Sequence, residues 1–292
     1  MFSDGFILVD KHLGISSFDA IRKIKRNSSQ KKIGHAGTLD PLASGLLIIL
    51  FGRGTKAAQY FNQLNKIYEF EVSLGVQTST GDREGSVIKE LSIVDNYTVP
   101  VINSCLATFL GKCLQVPPAY SALKHKGKPY YYYARKNQSI DIEAREIEIY
   151  SIKLISYSQH KLVIQACCGS GTYIRTLAED IAIALGTVGH ASAIRRLSIG
   201  SFEAKNGIRI SDDLLPDILN SIIPISEVFK DYPVICLEQD KAIKFTQGQK
   251  IACRGSDHVI DDLIAINDDD DNFIGLGRIT QDGLLKPIKI FK

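Results

Sequence analysis

Four polar side chains that could take part in chemistry are crowded into residues 34–45, GHAGTLDPLASG. They are His35, Thr38, Asp40 and Ser44, and glycines lie on either side of them and between them. Glycine lets the backbone adopt positive φ and lets a ligand approach closely. An aspartate in such a setting can act as a nucleophile that forms a covalent intermediate. This stretch is therefore the first candidate for a functional site.

The residues around Asp40 leave two readings open. Pro41 disfavours helical backbone at Asp40, and residues 46–51 form a continuous apolar run of the kind found in buried strands. Asp40 would then lie on a tight loop fixed to a core strand, where chemistry is usually placed. Alternatively, Asp40 caps a helix that begins at Pro41, and His35 is a hydrogen-bonded structural histidine. The glycine spacing matches neither a P-loop nor a dinucleotide fingerprint.

A second polar stretch, residues 169–176 (GSGTYIRT), leads into an apolar segment that predicts a helix over Leu177–Leu185. Tyr173 and Arg175 lie two residues apart at the expected junction between strand and helix. In extended backbone, residues two apart face the same way. Arg175 taken alone is either part of a surface ion pair, worth about 0–1 kcal/mol, or a cation that faces the same site as Tyr173.

The segments that must hold these residues show strand and helix patterns. Residues 67–74 alternate between apolar and polar side chains, which predicts a half-buried strand. Tyr68 shares the apolar face of this strand with Phe70, so periodicity favours core packing for its ring. The other strands predicted before residue 231 are Phe6–Asp10, Leu46–Phe51, Arg145–Ile155 and Lys161–Cys168, and the last two form a hairpin through the turn Tyr157–His160. The predicted helices are Phe18–Arg26, capped by Ser17, Lys56–Leu64 and Val99–Leu110. Gln77–Ser86 is predicted to be a polar loop.

After about residue 231 the pattern changes to short strand-like runs separated by turns rich in Gly, Asn and Asp. Regularly spaced short strands indicate a small β-barrel. A chain of 292 residues accommodates one large domain and one small one, which we expect at 1–230 and 231–292. The short strands are predicted at Val234–Leu237, Lys250–Cys253, Leu263–Ile266, Phe273–Arg278 and Leu285–Phe291.

Composition excludes several classes of protein. No apolar run is long enough to span a bilayer, and the first residues carry neither the basic flank nor the apolar stretch of a secretory signal. The six cysteines include no C-x-x-C pair, which argues against a zinc site or a redox motif. Cys167 and Cys168 lie in a strand-like segment and are interpreted as buried thiols. A reducing, cytoplasmic location and a site without metal are therefore expected.

The charge is unevenly distributed. Residues 231–292 hold 8 Lys/Arg and 11 Asp/Glu, whereas residues 1–230 hold 27 and 21. Residues 20–39 and 111–136 each carry six basic residues and no acidic one. Such segments are either solvated surface or the footprint of a polyanion. The second one also contains Tyr120 and four consecutive tyrosines from Tyr130, and aromatic rings beside cations suit unpaired RNA, whose bases stack on them.

The stretch GHAGTLDPLASGLL closely resembles the catalytic motif of the TruB family of tRNA pseudouridine synthases. The resemblance extends from Gly5 to about Phe202, in blocks whose order and spacing are similar to those of the family. The further blocks are Gly5–Phe18 (GFILVDKHLGISSF), Lys66–Thr80 (KIYEFEVSLGVQTST), Val116–Arg135 (VPPAYSALKHKGKPYYYYAR) and Gly169–Leu197 (GSGTYIRTLAEDIAIALGTVGHASAIRRL).

The resemblance implies an α+β protein with the pseudouridine synthase fold, which has a central mixed, mainly antiparallel sheet flanked by helices. A small C-terminal PUA-like β-barrel for RNA binding and an RNA-gripping insertion at about 111–145 would complete it. Residues 231–292 carry a net negative charge, whereas strong binding of tRNA by that domain would need a positive one. Ala36, where many members have Thr, is a milder departure.

The resemblance also implies a role for each site residue. Asp40 would be the catalytic residue, and Arg175 would lie against its carboxylate. Tyr68 would stack on the target base, with Tyr173 and Ile194 enclosing it; the family usually has Leu at the position of Ile194. His35 would fill the place vacated by the flipped base, and the tRNA backbone would be contacted by Lys11, Lys124, Lys126 and Lys128.

The implied reaction turns uridine 55 in the tRNA T-loop into pseudouridine without a metal or a cofactor. A nucleophilic carboxylate must be ionised, and a guanidinium at Arg175 would offset its desolvation and bind it bidentately. The partner would be the T-stem-loop of tRNA, met by a monomer without guide RNA. A guide-dependent relative acting on other RNA and a non-catalytic RNA-binding or RNA-folding module are the alternatives; an intact set of Asp40, Tyr68, Tyr173 and Arg175 argues against the latter.

Overall fold

The structure is a computed structural model that describes residues 4–26, 28, 30–93, 97–121, 123–136, 138, 140–158, 160–210, 215–252 and 262–292. Part of the predicted turn Tyr157–His160, and the predicted strand end at Cys253, lie outside these residues. None of the described helices is long and apolar enough to cross a bilayer.

Nineteen strands are present in the described part of the chain. They are β1 Gly5–Lys11, β2 Ile33–Ala36, β3 Ala43–Phe51, β4 Lys66–Leu74, β5 Val76–Thr78, β6 Val87–Glu90, β7 Gly111–Gln115, β8 Lys124–His125, β9 Lys128–Pro129, β10 Arg145–Ser158, β11 Lys161–Cys168, β12 Gly189–Ile199, β13 Phe202–Glu203, β14 Ile208–Arg209, β15 Val234–Cys236, β16 Ile251–Ala252, β17 Leu263–Asn267, β18 Phe273–Ile279 and β19 Leu284–Ile290.

The α-helices of the described residues are short, and most flank the large sheet. They are α1 Ser17–Arg26, α2 Ala58–Gln63, α3 Val99–Ala107, α4 Tyr130–Ala134, α5 Ile174–Ala184, α6 Leu215–Asn220 and α7 Gln239–Thr246, with 3₁₀ turns at Gly52–Ala57, Ala204–Asn206 and Ile225–Phe229.

A ten-stranded sheet forms the centre of the fold. Its strands run in the order β14-β1-β3-β12-β4-β11-β10-β7, with β2 attached to β3 and β13 to β12. Only the β1–β14 and β3–β12 pairs are parallel; the other pairs are antiparallel. This is the mixed, mainly antiparallel sheet that was predicted. The strand β12, which no sequence pattern indicated, lies between β3 and β4 and so connects the strand that follows the Asp40 loop with the strand that carries Tyr68.

Strands β1 and β3 are buried on both faces, which explains their continuous apolar runs. Ile7 and Val9 point into the core that also contains residues of α1, α3 and α5. Phe6 and Leu8, on the opposite face of β1, pack in a second core with Phe229 and with residues of β18. The C-terminal sheet therefore covers the second face of the central strands.

The predicted C-terminal β structure is present as a five-stranded sheet in the order β15-β17-β18-β19-β16. Helix α7, between β15 and β16, was not predicted. Several boundaries also differ: α5 begins three residues before the predicted Leu177, and α3 ends at Ala107. At α1 the cap is Ser16, whose hydroxyl accepts a hydrogen bond from the Asp19 amide at 3.1 Å. Ser17 lies inside the helix instead.

Candidate active site

A cleft of about 460 Å³ opens beside the loop between β2 and β3. Binding sites for small ligands usually measure about 300–1,000 Å³, so a single nucleoside fits this volume. The walls come from that loop, from β4 and β12 of the sheet, and from the junction between β11 and α5. Residues that line the cleft include Asp40, Tyr68, Tyr120, Tyr173, Arg175 and Ile194.

The loop that carries Asp40 is a tight turn and not the start of a helix. The Ala43 amide donates to the Asp40 carbonyl at 3.0 Å, and β3 begins at Ala43. The hydroxyl of Ser17 fixes the loop from α1, because it accepts from the Leu39 amide at 2.8 Å and donates to the Leu39 carbonyl at 3.0 Å. The loop reading of Asp40 is thus confirmed, and the helix-cap reading is wrong.

Gly45 is required by close packing where the loop enters the sheet. Its φ is +100°, and a Cβ atom there would lie 2.1 Å from the carbonyl oxygen of Arg196. Such an approach is possible only for a residue without a side chain. The parallel pairing of β3 with β12 therefore depends on this glycine, and it sets the distance between the Asp40 loop and the strand that carries Ile194.

Arg175 forms an ion pair with Asp40 in the cleft. The Arg175 Nε atom lies 3.1 Å from Asp40 Oδ2; the arginine side chain is 7% exposed and the aspartate side chain 42%. Nε makes the closest contact, and among the described residues no hydrogen bond runs from this guanidinium to Asp40, so the predicted bidentate clamp is wrong. The reason is that the other two guanidinium nitrogens bind elsewhere: Nη1 donates to the Thr80 carbonyl and Nη2 to the Tyr120 carbonyl. The carboxylate is also more open to solvent than a dry pocket would make it.

Asp82 is a site residue that the sequence reasoning missed. Its side chain is 5% exposed, and its Oδ2 atom lies 3.4 Å from Arg175 Nη1. The other oxygen accepts from the Thr80 hydroxyl at 2.6 Å and from the Glu84 amide at 3.0 Å. Two carboxylates therefore share one buried guanidinium, and Asp82 holds Arg175 in the position from which it reaches Asp40.

Two tyrosines and an isoleucine enclose the cleft. Tyr68 belongs to the apolar core, as its periodicity predicts, and it also lines the cleft; its stacking on a base stays a prediction. Burial raises the pKa of Tyr68 against the opposing effect of Arg196. Tyr173 lies just before α5 and is fixed by Gln115, which accepts from its amide at 2.8 Å and donates to its carbonyl at 3.1 Å. Ile194 on β12 is buried and forms an apolar wall.

Arg196 lies beneath these residues and is only 1% exposed. Its guanidinium donates to the carbonyls of Leu46 at 2.7 Å and Gly37 at 2.9 Å, and Nη1 lies 3.5 Å from the hydroxyl of Tyr68. One buried cation thus ties the Asp40 loop to the Tyr68 ring. A run such as Arg195-Arg196 carries no signal that distinguishes the buried residue from its neighbour, which is why Arg196 was missed.

His35 and Lys11 do not line the cleft. His35 lies on β2, where its Nδ1 atom is buried without a partner among the described residues. Burial, followed by the charge of Arg196, lowers the pKa of His35. Lys11 is fully buried and donates to the carbonyls of His12 at 3.1 Å and Ile15 at 2.8 Å. The predicted tRNA-backbone contact of Lys11 is therefore not supported, because its ammonium is not accessible to a phosphate.

The three other predicted phosphate contacts lie on an exposed hairpin. Lys124 is on β8 and Lys128 on β9, and Lys126 lies in the turn with a φ of +47°. The following residue, Gly127, has a φ of +81°. Two successive positive φ values are typical of the type I′ turn that joins two-residue hairpins. The hairpin presents the three side chains to solvent, and Ser121 and Tyr131, which flank the hairpin in the chain, line the cleft.

Lysines and tyrosines contact each other along α4, next to this hairpin. The Lys128 ammonium lies 4.5 Å and the Lys136 ammonium 4.6 Å from the ring centre of Tyr132, and both lower its pKa through hydrogen bonds to the hydroxyl. Arg135 lies over the ring of Tyr131, which lines the cleft. None of these cations is paired with a carboxylate among the described residues, whereas Lys112 nearby is paired with Glu146. Their charge is thus available to an external anion.

Carboxylates that could hold a metal ion are found at one place in the described residues, away from the cleft. Asp268, Asp269 and Asp270 lie together in a turn of the C-terminal sheet, and the last two are exposed. The cleft itself combines one accessible carboxylate, a buried guanidinium and aromatic rings. That set of groups suits a reaction on an aromatic base by a carboxylate.

Comparison with known proteins agrees with this geometry. Residues 25–174 match the TruB family pseudouridylate synthase N-terminal domain, and residues 233–291 match the C-terminal domain of pseudouridine synthase II TruB. The chain is 37% identical to "tRNA pseudouridine synthase B" of Burkholderia mallei, over 98% of this chain and 96% of that protein. It is 36% identical to the protein of the same name from Nitrosococcus oceani, over 98% and 94%.

Solved structures with the same fold are more distant in sequence. A structure titled "Crystal Structure of a Cbf5-Nop10-Gar1 Complex" has a TM-score of 0.74 at 22% identity and covers 99% of this chain and 85% of that one. The chain of an H/ACA RNP bound to a substrate RNA scores 0.74 at 21% identity, with the same coverage. These likenesses support the pseudouridine synthase fold. Together with the matches over nearly the whole sequence, they show that the chain belongs to the TruB family of pseudouridylate synthases.

Proposed function

We propose that this chain isomerises uridine 55 in the T-loop of tRNA to pseudouridine, acting on the T-stem-loop as a monomer without a guide RNA. The observation that carries the proposal is the ion pair between Arg175 Nε and Asp40 Oδ2, 3.1 Å long, in a cleft walled by Tyr68, Tyr173 and Ile194. Relatives that match 98% of the chain bear the name tRNA pseudouridine synthase B. In this proposal residues 1–230 carry the reaction and 231–292 form a second RNA-binding domain.

The reaction breaks the bond between N1 of the base and C1′ of the ribose, turns the base and rejoins it through C5. Asp40 provides the carboxylate that this exchange needs, as a nucleophile or as an aid to elimination. The contact with Arg175 orients the carboxylate while the substrate covers its exposed side. Asp82, on the far side of the guanidinium, holds Arg175 in place. The reaction is an isomerisation without net oxidation or reduction, so it requires no electron donor or acceptor.

The target base must leave the tRNA loop before it can enter the cleft. Flipping a base costs a few kcal/mol of stacking and pairing energy, and stacking on an aromatic ring returns about 1–3 kcal/mol. Tyr68 supplies such a ring at the cleft wall, and Ile194 closes the apolar side. His35 is proposed to occupy the vacated place in the RNA, because its strand β2 leads directly into the Asp40 loop.

We expect neutralising Lys124, Lys126 and Lys128 to weaken tRNA binding and to flatten its dependence on salt. Removing one lysine–phosphate interaction should reduce the slope of log K against log salt by about 0.7–0.9, so the triple Lys→Gln variant should reduce it by about 2.1–2.7. The side chains are exposed and none is paired with a carboxylate among the described residues. Filter binding at several salt concentrations measures the slope.

Paired cations outside residues 111–145 and 231–292 offer a matched control. Arg53, Lys161 and Lys205 are each paired with a carboxylate, so replacing all three with Gln removes the same charge from a compensated surface. The slope of this triple variant should stay near that of the unaltered protein. Equal slopes in the two triple variants would show that the β8–β9 hairpin is ordinary solvated surface and does not bind tRNA.

One assay separates the proposed function from its alternatives. Unmodified tRNA transcript is incubated with the protein alone, and pseudouridine is mapped along the RNA. Formation at position 55 is the expected result. A non-catalytic RNA-binding or RNA-folding protein would leave the transcript unmodified, and a guide-dependent enzyme would act only after a guide RNA is added. Sedimentation of the protein with bound tRNA tests the expected one-to-one complex.

A further inference from the structure

A second buried lysine, Lys66, differs from Lys11 in that it lines the cleft. It is the first residue of β4, two positions before Tyr68, and is 7% exposed. Its ammonium donates to the backbone carbonyls of Asn62 and Leu64 at the end of α2. An ammonium has three donors, and the third has no acceptor among the described residues. One N–H of Lys66 is therefore free to meet a ligand.

The surroundings of Lys66 contain positive charge and no described carboxylate partner. Burial, followed by the charge of Arg196 on the neighbouring strand β12, lowers the pKa of Lys66, and Cys168 on β11 acts in the opposite direction. The lysine pairs across the sheet with Ile199 and Cys168, and Tyr68 is the next titratable group on its own strand. Burial costs a charged group a great deal unless a partner offsets it. Two uncompensated cations at one cleft wall thus favour an anion inside the cleft.

The proposed reaction creates such an anion. When the N1–C1′ bond breaks, its electron pair leaves with the base, and the electron deficiency at C1′ is met by the Asp40 carboxylate, which bonds to the carbon or takes a ribose proton. The detached uracil then carries a negative charge spread over N1 and its carbonyl oxygens. When C5 bonds to C1′, the bond between Asp40 and this carbon breaks, or the ribose proton held by Asp40 is returned. The proton on C5 then moves to N1, which leaves a neutral base and a free carboxylate, so no oxidant or other reactant is needed.

We propose that Lys66, supported by Arg196, stabilises the negative charge of the detached uracil in the cleft. This inference rests on the proposed function and adds a residue to it. Preorganised donors aimed at developing charge are usually the largest single contribution to catalysis, and removing one lowers the rate about 10²–10³-fold. The charge appears only after the bond breaks, so Lys66 acts on the rate of reaction and not on the affinity for tRNA.

A structural role for Lys66 is the competing explanation, because lysine side chains can also bind the last carbonyls of a helix. Lys11 provides the matched control. It too is buried, donates to two backbone carbonyls, and has a pKa lowered by burial to about 8, but it does not line the cleft. A purely structural lysine should behave alike at both positions.

The test compares single-turnover rates of Lys66→Met, Lys66→Arg and Lys11→Met on unmodified tRNA between pH 6 and 10. Burial lowers the pKa of Lys66 to about 8, so the unaltered protein should lose rate as the pH rises through this value and the ammonium loses its proton. Arginine stays charged over this range, so Lys66→Arg should retain most of the rate and move the loss to higher pH. Lys66→Met should be about 10²-fold slower at pH 7, whereas the rate of Lys11→Met should still fall as the pH rises through about 8.

Binding and folding are measured on the same proteins. In an Asp40→Asn background, which cannot turn over, Lys66→Met should bind tRNA as tightly as its parent, and circular dichroism should show a folded protein. An alkaline limb that stays near pH 8 in Lys66→Arg, or a tRNA affinity that falls together with the rate, would overturn the inference. Pseudouridine formed by the unaltered protein tests the proposed function separately, so the two failures are distinguishable.

Discussion

Asp40→Asn should abolish pseudouridine formation and leave tRNA binding intact. Asparagine keeps the size and the hydrogen-bonding capacity of the side chain, but it cannot act as a carboxylate nucleophile or base. Loss of a group that bonds to the reacting atoms typically lowers kcat at least about 10⁴-fold. Because 42% of the Asp40 side chain is exposed and the loop is fixed by Ser17 and by backbone hydrogen bonds, the variant should fold normally. Tritium release from tRNA labelled at C5 measures turnover.

Asp10→Asn is the control for this experiment. Asp10 is partly buried and accepts two hydrogen bonds from Arg195 at 2.9 and 2.8 Å, so it is paired with an arginine as Asp40 is. It lies on β1, which pairs with β3, the strand that follows the Asp40 loop. It does not line the cleft, and its variant should release tritium at nearly the normal rate. Substantial release by Asp40→Asn would remove Asp40 from the chemistry, and with it the proposed function.

Arg175→Lys should fold normally and lose most of its rate. The guanidinium binds four groups from three segments: the Asp40 and Asp82 carboxylates and the carbonyls of Thr80 and Tyr120. A lysine ammonium is a single charged point and cannot span this set. A carboxylate left without its fixed cation is misplaced, and we expect kcat to fall about 10²–10³-fold, comparable with the loss of one preorganised donor.

The loss of activity in Arg175→Lys should appear in kcat and hardly in KM. Because Arg175 is only 7% exposed beneath Asp40, it should contribute little to tRNA affinity, so kcat should fall much more than KM rises. Arg195→Lys, which alters the pair with Asp10 outside the cleft, serves as the control. Wild-type kinetics in Arg175→Lys would show that the ion pair in the cleft has no part in the reaction.

Local patterns predicted the elements that depend on neighbours in the chain. Alternation in residues 67–74 and the apolar run in 46–51 predicted β4 and most of β3, since the burial of one or both faces of a strand leaves a direct trace in its sequence. Strand β12 left no such trace. It carries Arg195, Arg196 and Ser192 among its apolar residues, and these polar groups are satisfied by partners on other strands and in the Asp40 loop.

The site residues that the sequence did not reveal are also buried and paired through segments distant in the chain. Asp82 belongs to a polar segment that looks like exposed loop, yet it is buried because α5 and β12 pack over it and Arg175 neutralises its charge. Lys66 and Lys11 look like ordinary lysines at the ends of strands. The bidentate clamp was wrong for a related reason, since the other Arg175 nitrogens are used by Thr80, Asp82 and Tyr120, on segments that no local pattern connects to residue 175.

The sequence by itself determined which reactive groups this protein has: a carboxylate in a glycine-rich loop, tyrosines on a strand and before a helix, and an arginine two residues beyond one of them. Only the tertiary structure decided which of these groups meet, which cations keep a carboxylate partner, and which remain uncompensated in the cleft. The physical reason is that the types of side chain are local properties, whereas electrostatic pairing and burial depend on distances through space between segments far apart in the chain.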